Sequence, residues 1–230
     1  MSKFDFEITI EKFDIQVYLD SLSEDTEKIN VSFKNITDLG DLSRFKKLKI
    51  LICHNNLLTN LGVLPETLEI LKCYHNELKS LPNLPKNLRE LYCDHNELKS
   101  LPDLPENLQF LECSNNPFLK SLHFLPDNLE DLRCRFNGLS SLPELPKNLR
   151  SLECSDNRLT SLPKLPNNLE KLICNTNRLR FLPSLPKNLR VLHCNDNYLY
   201  ILPDLPDNPQ EHLYLDYGNN PIFNIITHNK

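Results

Sequence analysis

Two residue types in this sequence are spaced as though for chemistry. Cysteine occurs at Cys53, Cys73, Cys93, Cys113, Cys134, Cys154, Cys174 and Cys194, in steps of 20 residues broken by a single step of 21. Thiolates ligate metals, attack electrophiles and pair as disulfides. A structural metal site, however, needs closely spaced pairs of the C-x-x-C kind, and none is present. One cysteine per 20 residues, always at the same place in a local pattern, reads instead as a buried column in which Cys acts as a small hydrophobe. Equivalent side chains in register point in parallel rather than towards one another, which disfavours bridging. Eight free thiols suit a reducing compartment, so the cytoplasm is the expected location.

Histidine gives the second cluster. His75 and His95 occupy equivalent places 20 residues apart, with His54 nearby and Asp94 beside them. Two imidazoles and a carboxylate outline a surface metal site or an acid–base pair. No nucleophile–base–orienter arrangement accompanies them, and their equivalence follows from the periodicity itself. The sequence is therefore read as holding no catalytic residue, no metal site and no cofactor. Glycine supports this: only Gly40, Gly62, Gly138 and Gly218 occur, against 17 prolines, too few and too scattered for a phosphate-cradling loop.

The elements that carry these residues follow from a repeat. One full unit is Leu84-Pro-Lys-Asn-Leu-Arg-Glu-Leu-Tyr-Cys-Asp-His-Asn-Glu-Leu-Lys-Ser-Leu-Pro-Asp103, and the general form is L-P-x-N-L-x-x-L-x-C-x-x-N-x-L-x-S-L-P-x. Asparagine keeps step with cysteine at Asn56, Asn76, Asn96, Asn116, Asn137, Asn157, Asn177 and Asn197, and the one extra residue falls within Pro117–Ser121. In L-x-x-L-x-C the last Leu and the Cys are two apart, so they point to one side of a strand. Two prolines three apart exclude a regular helix on the returning limb and leave an extended, polyproline-like path. In the second coil Leu68, Leu71, Cys73, Leu78, Leu81 and Leu84 turn inward. A single such coil cannot offset its own ordering entropy, so coils must stack continuously and be capped at both ends. The asparagines are read as structural, bonding backbone groups where the strand ends.

The pattern L-x-x-L-x-[L/C]-x-x-N-x-L resembles the leucine-rich-repeat family over roughly residues 29–222. The L-P-x-L-P-x-N-L form is similar to the short repeats of bacterial type III effectors, some of which are ubiquitin ligases. The cysteine in nearly every coil and the segment Leu42-Ser-Arg-Phe-Lys-Lys-Leu resemble repeat proteins of giant DNA viruses of amoebae more closely. What the resemblance implies is an α/β-class solenoid, or horseshoe. It would have a parallel β-sheet on the concave face, an extended convex face, little helix, and protein binding on the concave sheet. The effector ligases carry their catalytic cysteine in a separate domain after the repeats; this chain ends at Lys230, so no ligase activity is expected.

The expected organisation is an N-terminal cap over 1–28, a repeat domain of eight regular coils plus degenerate terminal coils over 29–222, and a tail over 223–230, with no linker and no second domain. Phe4, Phe6, Ile8 and Ile10 alternate within the cap, and Pro209, where other coils carry Leu, loosens the way into the last coil. The N-terminus lacks the apolar core of a secretory signal. A net charge of −5 without a basic stripe argues against nucleic acid, and no run of apolar residues is long enough to cross a membrane.

Parity then locates a site. With Leu and Cys inward, Ile50, Ile52, Ile70, Tyr74, Tyr92 and Phe110 face the open side of four adjacent coils, where a solvated sheet would carry polar groups. Lys72, Glu90, Asp94 and Glu112 are expected to form a polar rim, with Arg133 further along. Glu112, Arg133 and Glu153, with Asp131 and Arg135 alongside, are expected to pair as a ladder, with partner contact as the alternative, and Glu69, Arg89, Gln109, Glu130, Arg150, Glu170 and Arg190 to alternate along the strand flank. The leading expectation is a monomeric, non-catalytic module that binds a protein partner through this face. Two alternatives stand beside it: a self-assembling structural component, and a substrate-recognition adaptor for a ligase or other enzyme on a separate chain.

Overall fold

The computed structural model describes residues 13–206 and 213–222. The alternating Phe4–Ile10 segment, Pro209 and the 223–230 tail lie outside the described residues. Ten three-residue strands form one parallel sheet in strict sequence order: β1 Lys28–Asn30, β2 Ile50–Ile52, β3 Ile70–Lys72, β4 Glu90–Tyr92, β5 Phe110–Glu112, β6 Asp131–Arg133, β7 Ser151–Glu153, β8 Lys171–Ile173, β9 Val191–His193 and β10 Tyr214–Asp216.

The register is one coil to the next, Leu51 against Leu71 against Leu91, and so on to Leu192 against Leu215. The central residue of β1 through β9 has no exposed surface, and all eight cysteines are free and equally buried. Pairing continues past each strand: Cys53 N–H donates to Lys72 O at 2.8 Å, and the same bond recurs to Cys194 on Asp216 O at 2.7 Å. The inward leucines and cysteines form one unbroken core from Leu19 to Leu199.

Two asparagine ladders lock the coils. In the inner one Asn96 Nδ2 donates to Cys73 O (3.1 Å) and Cys93 O (3.2 Å), while its Oδ1 accepts from Leu78 N–H (3.0 Å). The outer ladder uses the Asn of L-P-x-N. Asn87, Asn107, Asn128, Asn148, Asn168 and Asn188 each donate to a carbonyl of the preceding coil, at 2.9–3.2 Å. Thr67 performs the same task in the second coil through Leu48 O. The prolines preceding these asparagines accept from the leucine three residues on, as Pro85 O does from Leu88 N–H at 3.1 Å, closing a turn rather than starting a helix.

Among the described residues the one helix, α1 Ile15–Asp20, lies against Gly40 and Arg44 of the first coils. Asp14 caps it by accepting from Gln16 and Val17 N–H. Leu19 is buried beneath it, and the Arg44 guanidinium donates to Leu19 O and Leu22 O. Gly40 permits that approach: it sits at φ +68°, and a Cβ there would meet Leu19 Cδ1 at 2.9 Å. No helix among the described residues is long and apolar enough to cross a membrane.

Candidate functional site

With each central leucine inward, its two neighbours face the open side in columns about 4.8 Å per step. One column runs Ile50, Ile70, Glu90, Phe110 and the other Ile52, Lys72, Tyr92, Glu112. A third column follows the cysteines: His54, Tyr74, Asp94, Ser114, Arg135. Ile50, Ile52, Ile70, Lys72, Tyr74, Glu90, Tyr92, Phe110 and Arg133 are all half-buried.

Their contacts are specific. The Tyr92 and Phe110 rings lie 4.6 Å apart. Lys72 Nζ is 4.5 Å from the Tyr92 centroid and the Arg133 guanidinium is 5.0 Å from that of Phe110. Tyr92 donates its hydroxyl hydrogen to Glu90 at 3.0 Å. Burial first, then the Glu90 carboxylate, push the phenol up to about 12. Tyr74 stacks on His54 at 4.1 Å. The cations thus lie over the aromatic faces, instead of only ringing them.

Two expected roles change. Glu112, placed by sequence in a solvated rim, is only 9% exposed. Burial raises its carboxyl above the usual range, partly offset by the Ser114 N–H it accepts at 3.2 Å. The ladder Glu112–Arg133–Glu153 is also not how these charges pair. Arg133 forks onto Asp131 of its own strand (3.2 and 3.0 Å), while the buried Glu153 takes Arg135 (3.3 Å) and Lys171. An ordinary strand alternation puts Asp131 and Arg133 on the same side, two residues apart, where a planar guanidinium reaches a carboxylate with both arms. Along the flank Arg150 contacts Glu130 at 3.8 Å and Glu170 at 3.2 Å.

Sequence reasoning missed the far end of the same face. Ile173, Val191, His193 and Tyr214 also point outward, with the His193 and Tyr214 rings 5.1 Å apart and His193 Nε2 buried without a hydrogen-bond partner. Parity carried past Phe110 would have found them; the charged stretch at β6 and β7 interrupts the apolar run and hides its resumption.

The thiols are suppressed as reagents. Burial raises all eight, Cys53 and Cys194 to about 12 and the others well above the usual range. The histidines do converge. His75 stacks on His95 with centroids 4.0 Å apart, and Asp94 Oδ2 lies 2.8 Å from His95 Nδ1. His54 stands apart from them, on Tyr74.

The backbone superposes on YopM from Yersinia enterocolitica with a TM-score of 0.74 and 34% identity, over 88% of this chain and 48% of that one. The fold is a leucine-rich-repeat solenoid. YopM from Yersinia pestis is similar to this solenoid at a TM-score of 0.73 and 32% identity, covering 84% of this chain and 61% of that one. A leucine-rich-repeat protein of Leptospira interrogans follows at 0.66 and 30%, covering 78% and 51%. The solenoid thus spans about half to three-fifths of the length of these chains. No protein-family profile matches the sequence, and no curated protein matches it.

Proposed function

We propose that this leucine-rich-repeat solenoid is a non-catalytic binding module whose partner is a protein, docked on the N-terminal half of the open sheet. The observation that carries this is the contiguous surface of Ile50, Ile52, Ile70, Tyr74, Tyr92 and Phe110, half-buried and topped by Lys72 and Arg133. Aromatic side chains on a rigid sheet bury much area at little entropic cost, and tyrosine and arginine dominate binding energy at interfaces. Glu90 adds an acceptor at the same place. The likeness to bacterial effectors supports the same reading. Eight buried free thiols support a reducing compartment such as the cytoplasm. The cysteine column is also what supports a kinship with repeat proteins of giant amoebal viruses.

The test is capture of partners from the native cell. Tyr92→Ala with Phe110→Ala should leave melting cooperative and weaken capture at least tenfold, equivalent to about 1.4 kcal/mol. The comparison pair is Ile173→Ala with Val191→Ala, on the same face but across the charged coils. Arg133 cannot serve as a comparison, because it lies over Phe110. If the distal pair abolishes capture while the aromatic pair is silent, the assignment fails. A self-assembling component would instead elute as an oligomer on gel filtration, and the aromatic pair would return it to a monomer. An adaptor for an enzyme on another chain would bring a ligase down with it.

A further inference from the structure

The turn after each strand places one residue in the left-handed region, and in two successive coils that residue is a histidine, His75 and His95, both at φ 51°. In-register stacking then leaves no choice about their separation. The imidazoles lie face to face with centroids 4.0 Å apart and 25° between planes. Asp94 precedes His95 and lies on the same edge of the sheet, its carboxylate 2.8 Å from His95 Nδ1. One donor atom from each of His75, Asp94 and His95 falls within 4.8 Å of the other two, the one such group among the described residues.

We propose that His75, Asp94 and His95 form a binding site for a divalent transition-metal ion of the zinc class. Two imidazoles and a carboxylate select borderline ions over magnesium or calcium, which take oxygen donors alone. Around one tetrahedral ion with bonds of roughly 2.0–2.1 Å, neighbouring ligand atoms sit about 3.3 Å apart. Both imidazoles are exposed and free to splay by the small amount this requires, whereas Asp94 is half-buried and held against the sheet. The hydrogen bond between Asp94 and His95 keeps ring and carboxylate on one side before an ion arrives. The positions on either side in the same column, Asn55 and Asn115, carry amides, so the site spans two coils and no more. Three protein donors leave coordination open to water. The inference is independent of the partner proposed above.

The experiment is titration of the folded, untagged protein with Co2+ and then Zn2+ under a non-chelating reductant, read by visible absorption and by calorimetry. One ion per chain is expected, with zinc displacing cobalt and no sulfur-to-cobalt charge-transfer band. His75→Asn and His95→Asn keep a side chain that the left-handed turn already accepts in neighbouring coils. Each should weaken binding at least tenfold with the melting temperature of the metal-free protein unchanged, as should Asp94→Asn, while His123→Asn on the opposite limb should change nothing. Absence of saturable binding at millimolar ion overturns the proposal. So does equal affinity in His75→Asn and the parent, or a charge-transfer band that puts the ion on cysteine.

Discussion

A left-handed residue recurs in every coil without a glycine to fill it: Phe33, Asn55, His75, His95, Asn115, Phe136, Asp156, Thr176, Asp196 and Asn219 all lie at φ 51–58°. That conformation costs an ordinary side chain about 1–2 kcal/mol, and Asn and Asp relieve it through local hydrogen bonds. The preference for Asn, Asp and His just before the ladder asparagine was visible in the sequence, but its meaning was not, because a polar residue there also reads as simple exposure. Glu112 is the same kind of case. Its outward direction followed from parity, yet its burial depends on neighbours such as Ser114 and Arg133 beside it, and strand alternation carries no such information. Because burial raises the folded-state pKa of Glu112, the folded protein binds more protons there than the unfolded chain. The resulting penalty is full above the raised pKa and disappears as pH falls below the unfolded value near ~4.3. Glu112→Gln should therefore melt higher than the parent at pH 7 and no higher at acid pH. An advantage that is the same at both would remove burial of the charge as its cause.

Among the elements, the coil was the part most open to prediction. The Leu and Cys spacing specifies strand, inward face and register at once, since a slip by one residue would turn every buried leucine outward. α1 was not legible: six residues are too few to show a helical period, and Asp14 alone marks its start. The outer asparagine ladder was also unrecognised, because an Asn after Pro-x signals a turn whether or not it reaches the next coil. At the inserted residue the inner ladder changes partner. Asn137 Oδ1 accepts from Asn116 N–H at 2.7 Å, and Leu119 N–H turns back to Asn116 O. Asn137 Nδ2 still donates to Cys113 O and Cys134 O. Asn137→Ala strands buried groups at about 1–3 kcal/mol each, whereas Asn148→Ala frees only an exposed carbonyl to water. Denaturant unfolding should rank the first well above the second; equal costs would show that the inner ladder is not what holds that coil.

Across the whole molecule, the cysteine column runs buried and free of disulfides from the first regular coil to the last. Thiol titration of the unfolded, non-reduced protein should return eight groups, and the melting temperature should not respond to reductant. A fall of several degrees on reduction is the scale on which lost disulfides act and would refute the column. The repeat made this architecture readable end to end, while the two ends themselves, where α1 packs on the segment around Gly40 and Arg44 and where β10 leaves Leu215 half-exposed, follow no repeated rule. Each strand is bonded only to the one before and the one after, and that has a mechanical meaning. Drawn out from one end, the molecule behaves as a spool. Each turn that lets go exchanges about 5 Å of rod for some ~70 Å of slack thread, and the turns still wound feel nothing until their neighbour has gone.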